Sequence, residues 1–431
     1  MLEVRTMKFK SNFAGILFLS FCLNVFAQDI DYARYIIDSL ASPAMFGRGY
    51  VNNGAEIAAK FISNEYSKLG LKSFDSNYYQ PFHISVNTFP GKIKLKINNR
   101  ELIPMTDYMV SSFSSQTFGL YKTVWFTKKN VASEKVLKKF LAKNYSDKVI
   151  VADKKGVKDP DMLKIFNALH YYNVFHSKGV LNIVDGKLMF DASPEEPKGG
   201  FFIDIERNQI KKKQEVFVQI ENKFYDDYPT QNIIGYIKGK LNPDSFIVFS
   251  AHYDHLGWMG KGNYFPGAND NASGVAMVLN LAEYYSMPDH QPKNTMVFIM
   301  FAAEEEGLLG SKFASEHPLF PLDHIKFLVN LDLVGTGDEG IMVVNGAVLN
   351  DAYEKLVKIN DEQHYLPQIK KRGEAANSDH YFFYEKKVPS FFIYTMGGIN
   401  EYHNLNDKAE TLPLTKFVNI VKLLVNFAQR I

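Results

Sequence analysis

The chain has 431 residues, of which 46% are hydrophobic and 14% are aromatic. It is therefore long enough to form two folding units, each with a core. Basic and acidic residues nearly balance, so the net charge at pH 7 is only +2. Without a basic block that could neutralise a run of phosphates, a nucleic acid is not expected as a partner.

The first 27 residues have the pattern of a signal peptide. Arg5, Lys8 and Lys10 form a positively charged start, and the apolar stretch FAGILFLSFCLNVF follows it. Small residues just before Gln28 fit a cleavage site. We expect residues 1–27 to be removed and the protein to be exported, either to the periplasm or into the medium, with no stable membrane span after cleavage. An uncleaved N-terminal anchor is the alternative.

The cysteine content restricts the kinds of site that this protein can build. Cys22 is the only cysteine, and it lies in the segment predicted to be removed. The mature chain would then hold no thiol and no disulfide. Any metal site in it has to use histidine and carboxylate side chains.

Two kinds of pattern follow along the chain. Residues 30–70 carry apolar side chains at helical spacing, and Gly70 fits a helix C-cap. Residues 90–222 contain short β-rich runs such as KIKLKI, KVIVAD and GVLNIV. These shifts predict a main domain formed by residues 28–89 and 223–431, with a β-rich domain of residues 90–222 inserted into it.

Strands and helices alternate from residue 230 onward. The apolar runs DSFIVFSA, NTMVFIMFAA, HIKFLVNLDLV and VPSFFIYTM indicate buried strands. The segments NASGVAMVLNLAEYYS and LTKFVNIVKLLVNFAQRI have helical periodicity. This alternation predicts an α/β fold in which a mostly parallel, twisted sheet carries helices on both faces.

Polar side chains stand at the ends of these predicted strands, where ligand sites of open α/β sheets lie. They are His252 and Asp254 after the first strand, Glu304, Glu305 and Glu306 after the second, Asp332 after the third, and Tyr402 and His403 beyond the fourth, with Asp270 just before a helix. Each feature alone is weak, since an Asp before a helix is usually an N-cap. Together, however, the carboxylates would repel one another unless cations held them.

Two histidines and three carboxylates fit a pair of divalent ions of the zinc type. One carboxylate can bridge two such ions about 3.5–4 Å apart, and a hydroxide held between them is a strong nucleophile. An additional carboxylate must then move protons. The adjacent residues Glu304 and Glu305 offer one metal ligand and one acid–base group.

Five motifs, SAHYDHLG, GANDNASGVA, AAEEEGLLGS, NLDLVG and YHNLND, resemble in order and spacing those of peptidase family M28. This family of zinc metallopeptidases includes secreted aminopeptidases and the related glutaminyl cyclases. The resemblance covers residues 230–410 and implies a fold of the zinc exopeptidase type. Residues 90–222 are similar to a protease-associated (PA-like) insert in placement and in their content of strands.

The resemblance also implies a ligand set for two zinc ions per chain. His252 and Asp332 would hold one ion, and Glu305 and His403 would hold the other. Asp270 would bridge the two ions.

Further residues would act around these ligands by the same resemblance. Glu304 would be the general base, and Tyr402 would donate a hydrogen bond to the oxyanion. Asp254 would orient the first histidine ligand, Asp379 would lie near the active site, and Asp407 would brace the loop of the last ligand. His255 matches no ligand position and is interpreted as a packing or surface residue.

The function implied is an exported zinc aminopeptidase that removes N-terminal residues from peptide or protein substrates. A glutaminyl cyclase and a carboxypeptidase-type member are alternatives within the same fold. A binding module on an inactive peptidase scaffold is the alternative from another class.

Overall fold

A computed structural model describes residues 30–212 and 214–431. The predicted signal peptide and Cys22 lie outside these residues. Within the described ranges, every helix is too short or too polar to cross a membrane.

The described residues form nine α-helices and sixteen strands. The helices are α1 Ile30–Leu40, α2 Gly54–Lys68, α3 Glu134–Leu141, α4 Pro160–Ala168, α5 Ser273–Ser286, α6 Leu309–Glu316, α7 Asn350–Gln363, α8 His380–Glu385 and α9 Phe417–Arg430. The strands are β1 Tyr79–Thr88, β2 Ile93–Ile97, β3 Arg100–Glu101, β4 Tyr108–Val110, β5 Thr117–Thr127, β6 Lys148–Asp153, β7 Gly179–Val184, β8 Phe201–Glu206, β9 Glu215–Ile220, β10 Lys223–Ile237, β11 Asn242–His252, β12 Asn294–Phe301, β13 Ile325–Leu331, β14 Ile341–Val344, β15 Ile369–Lys371 and β16 Ser390–Thr395.

The first sheet has eight strands in the order β1-β10-β12-β11-β13-β16-β14-β15. Its centre is parallel, because β11 pairs with β12 and β13, and β13 pairs with β16, all in the same direction. Antiparallel pairs occur toward both edges. The carboxyl ends of the central strands therefore meet at one edge of the sheet.

Helices cover both faces of this sheet, as the sequence predicts. In β11, Ile247 and Phe249 belong to a core shared with α1, α2, α5, α7 and α9. The alternate residues Phe246 and Val248 belong to a second core, which includes residues of α6 and α8. Because side chains alternate between faces along a strand, the continuous apolar run of residues 246–249 fits between two layers of helices. The predicted α/β architecture is confirmed.

The second sheet contains all the strands between residues 93 and 220, in the order β3-β2-β9-β5-β6-β7-β8-β4. Its strands β5 to β8 are parallel to one another, and α3 and α4 pack against one face through Phe140 and Phe166. The sequence patterns do not predict these two helices. Both are short, and both begin with a capping side chain, Ser133 for α3 and Asp159 for α4.

Candidate metal centre

The carboxyl ends of the parallel strands bring the predicted ligands together. His252 ends β11, and its Nε2 lies 3.5 Å from Oδ1 of Asp332, which directly follows β13. The same Nε2 lies 3.4 Å from Oδ1 of Asp270. His403, in the loop after β16, places its Nε2 3.2 Å from the other oxygen of Asp270 and 3.1 Å from Oε2 of Glu305. One carboxylate thus faces two imidazoles, each of which has a second carboxylate beside it.

The atoms that line this site lack partners within the protein. His252 Nε2, Asp270 Oδ2, Asp332 Oδ1 and His403 Nε2 are buried and make no hydrogen bond. Buried polar atoms without partners are costly, and several carboxylates this close repel one another. Metal ions would give these buried atoms partners and would offset the repulsion between the carboxylates. Imidazole with carboxylate is a donor set that zinc accepts. The residues therefore fit a metal centre.

Glu304 lies at the margin of this group. Its Oε2 is 4.0 Å from His252 Nε2, and ligand atoms of His252, Glu304 and Asp332 come close enough together to hold an ion. Burial raises the pKa of Glu304 well above its ordinary value, and Asp379 adds to this effect, while His252 opposes it. A carboxylate with a raised pKa is suited to proton transfer near neutral pH.

Glu305, the next residue, has the opposite character. Burial acts to raise its pKa, but His403 and a hydrogen bond from His255 outweigh burial and hold the pKa at about 2. The pKa values of these two adjacent carboxylates therefore diverge: that of Glu304 is shifted toward the protonated form, and that of Glu305 keeps the group ionised. Such divergence separates an acid–base group from a permanently charged one.

Asp254 braces the turn that carries both glutamates. Its two carboxylate oxygens accept the backbone N–H groups of Glu304 at 3.2 Å and Glu305 at 3.3 Å. His252 Nδ1 lies nearer to the backbone oxygen of Asp254, at 3.2 Å, than to its carboxylate, at 3.7 Å. The Asp254 carboxylate thus contacts the backbone of the two glutamates more closely than it contacts the imidazole of His252.

Asp407 connects two of the ligand loops. Its oxygens accept the backbone N–H groups of Asn269 at 2.8 Å and Asp270 at 2.9 Å. Because Asp407 lies four residues beyond His403, the loop of the last ligand is tied to the loop of Asp270.

The remaining predicted residues also lie at the site. Asp379 is fully buried, and burial raises its pKa to about 7. Ser378 beside it donates a hydrogen bond of 3.2 Å to Asp332 Oδ2. Tyr402 is 43% exposed, and its ring stacks on the ring of His403 with 3.7 Å between centroids.

His255 is a packing residue rather than a surface residue, and it also contacts a predicted ligand. Its imidazole is buried, and Nδ1 lies 2.7 Å from Oε1 of Glu305, so the ring orients a predicted metal ligand. The spacing H-x-D-H places His255 next to the predicted ligands but does not indicate which residue it contacts.

Two further residues at the site are not predicted by the sequence. Arg48 is fully buried and donates hydrogen bonds to five backbone oxygens around the site. Asp191 lies 3.0 Å from His403 Nδ1, although it is more than 200 residues away in the chain. Arg48 stands in the stretch SPAMFGRG, residues 42–49, which precedes a helix, whereas no sequence signal marks Asp191.

The parallel sheet carries a cluster of histidines and carboxylates at its carboxyl edge, a donor set that zinc accepts. Residues 232–428 match the model of peptidase family M28.

Individual relatives resemble shorter or longer parts of the chain. A probable zinc metalloprotease of Pyrenophora tritici-repentis is 36% identical over 108 residues, which are 24% of this chain and 24% of the relative. The match thus spans about a quarter of that relative's length. A zinc aminopeptidase from Bacillus subtilis has a similar structure, with a TM-score of 0.69 and 20% identity over 92% of this chain and 94% of that one. A peptidase M28 precursor from Shewanella amazonensis gives a TM-score of 0.69 and 18% identity, over 94% and 93%. At these identities the structures show a common fold.

Proposed function

We propose that the protein is an exported aminopeptidase with two zinc ions per chain, which hydrolyses N-terminal residues from peptides. The observation that carries this proposal is the position of Asp270, whose two oxygens lie 3.4 Å from His252 Nε2 and 3.2 Å from His403 Nε2. A single ion would not need a carboxylate shared between two histidines. His252 with Asp332 would hold one ion, and His403 with Glu305 the other.

Zinc bound here would supply Lewis acidity that activates a water molecule and polarises the scissile carbonyl. Glu304, with its raised pKa, would take a proton from the attacking water and return it to the leaving amine. Tyr402, exposed beside His403, would donate a hydrogen bond to the oxygen that becomes negative in the transition state. Asp254, Asp379 and Asp407 would hold these groups in place.

Two other observations support the finer parts of the proposal. The N-terminal pattern of charge and apolar residues supports export. The separate pairing of all strands between residues 93 and 220 supports a distinct inserted domain of residues 90–222, PA-like in its placement. The Bacillus subtilis protein of similar fold is described as a zinc aminopeptidase, which favours an aminopeptidase over the alternatives.

Metal analysis combined with a substrate panel tests the proposal. We expect two zinc ions per chain and release of p-nitroaniline from aminoacyl-p-nitroanilides. Ammonia release from a peptide that begins with glutamine would instead indicate a glutaminyl cyclase, and release of C-terminal residues a carboxypeptidase. A purified chain that binds no zinc and turns over none of these substrates would favour a binding module.

A further inference from the structure

We propose that Asp191 is a positioning residue for His403, so that the second sheet completes the metal centre of the first. The inference rests on the proposed metal centre. His403 uses Nε2 to face Asp270 and Glu305, and its other ring nitrogen, Nδ1, lies 3.0 Å from Asp191 Oδ1. A carboxylate that accepts the second ring N–H fixes the tautomer and the orientation of a metal-binding histidine and makes it a stronger ligand.

The backbone around His403 is held by the same segment. The N–H of Phe190 donates a hydrogen bond of 3.1 Å to the carbonyl oxygen of His403. Lys187 Nζ donates at 2.8 Å to the Asn400 carbonyl and at 2.8 Å to the carboxylate of Glu401. Residues 187–191 therefore contact the loop of the last ligand through one backbone and two side-chain groups.

His403 needs such support because of its backbone conformation. Its φ is +51°, in the left-handed region that residues other than glycine adopt rarely. Such a conformation persists where its surroundings determine it. The hydrogen bond from Phe190 and the contact with Asp191 supply two of these constraints.

The supporting segment is itself anchored in the second sheet. Residues 187–191 lie between β7 and β8. The ring of Phe190 stacks on Phe265 with 5.3 Å between centroids and meets Phe89 edge-on. All three rings are buried in the core of the second sheet. The position of His403 therefore depends on the placement of the second sheet relative to the first.

Zinc affinity measured by chelator competition tests this inference without relying on turnover. In Asp191→Ala, we expect one of the two zinc ions to bind about 10–100-fold more weakly, while the other keeps its affinity. Asp191→Asn keeps an acceptor oxygen and should recover part of the loss. Asp227→Ala is the matched control, because it removes an exposed carboxylate that lies 2.7 Å from Nδ1 of His83 on the outer strands β1 and β10. Its zinc affinity should equal that of the wild type.

Equal zinc affinities for Asp191→Ala and the wild type would overturn the inference. Thermal unfolding of the metal-free proteins identifies a variant that fails to fold. If Asp191→Ala fails to fold, zinc affinity is measured on Asp191→Asn and Lys187→Ala instead. Each of these variants should bind one zinc ion more weakly than the wild type. A wild type that binds two zinc ions but cleaves no aminoacyl substrate would refute the proposed function and leave this inference standing. A wild type that binds no zinc would refute both.

Discussion

The guanidinium group of Arg48 holds the backbone of Asp270, with 3.1 Å between Nη2 and the Asp270 carbonyl oxygen. The same side chain donates to the carbonyls of Gly267, Pro266, Tyr253 and Leu40 at 2.7–2.9 Å. Burial lowers the pKa of Arg48 to about 10, while nearby carboxylates, Asp270 foremost, oppose the effect. The group therefore stays charged at neutral pH. It fixes the loop of the shared carboxylate and places a positive charge behind it.

Replacing Arg48 should destabilise the fold severely. In Arg48→Lys, a compact ammonium cannot reproduce a planar fork with five partners, and buried carbonyls would lose their donors. Since each buried carbonyl left without a donor costs about 1–3 kcal/mol, we expect the free energy of unfolding to fall by about 3–5 kcal/mol, measured by denaturant unfolding of the metal-free protein. Arg430→Ala is the control, because Arg430 pairs with Glu362 on the surface and should change stability by about 1 kcal/mol at most. Similar losses for both variants would contradict the prediction.

Asp270→Ala should abolish the binding of both zinc ions, because each ion loses the carboxylate that the two share. The measurement is zinc content per chain after dialysis. Adding zinc to the metal-free wild type should raise its free energy of unfolding by about 2.7 kcal/mol for each ion bound, at a concentration 100 times that ion's dissociation constant. The variant should show no such increase. Retention of one ion would mean that Asp270 does not bridge.

Tyr402→Phe should slow catalysis and leave metal binding intact. The substitution removes a hydroxyl group and keeps the ring that stacks on His403. If the hydroxyl stabilises the oxyanion, kcat should fall by about 10²–10³-fold, with zinc content and melting temperature unchanged. Tyr172→Phe, at a position that is 65% exposed, should behave as the wild type. An unchanged kcat in Tyr402→Phe would remove this residue from the mechanism.

The sequence predicted the first sheet well because its strands have a strong signal. β11 and β12 contain the apolar runs FIVF and MVFIMF and are flanked by helices with clear periodicity, so the sequence predicts buried parallel strands. Their ends then specified which polar residues meet, since parallel strands deliver their carboxyl ends to one edge. His252, Glu305 and Asp332 come together for this reason, whereas the selection of all five ligands, Asp270 and His403 among them, is what the resemblance to peptidase family M28 implies.

The contributions of Asp191, His255 and Arg48 could not be obtained in this way. Asp191 reaches His403 only through the relative placement of two sheets, which no local periodicity encodes. Arg48 acts through backbone oxygens, which leave no trace in residue types. Helices α3 and α4 were missed because each spans fewer than ten residues, too few to show a clear helical period among β-rich runs.

His380 should make the fold sensitive to acid. It is fully buried, and burial lowers its pKa to about 4, whereas in the unfolded chain it has a pKa of about 6.5. Between pH 6.5 and pH 4 this histidine binds a proton in the unfolded state but not in the folded state. The free energy of unfolding therefore falls as the pH drops toward 4. In His380→Phe, the fall in unfolding free energy between pH 7 and pH 4 should be smaller by about 3 kcal/mol. Equal falls in both proteins would show that His380 does not titrate as expected.

The pair Glu304 and Glu305 separates proton transfer from metal binding at two adjacent positions. Glu304→Gln removes the base and keeps the shape, so zinc content should stay at the wild-type value while kcat falls by about 10²–10⁴-fold. Glu305→Gln removes the charge beside His403 Nε2, at 3.1 Å, and should weaken the binding of one ion. Zinc content and single-turnover rates measured on both variants distinguish the roles. If Glu304→Gln lost zinc and Glu305→Gln kept both ions, the two assignments would have to be exchanged.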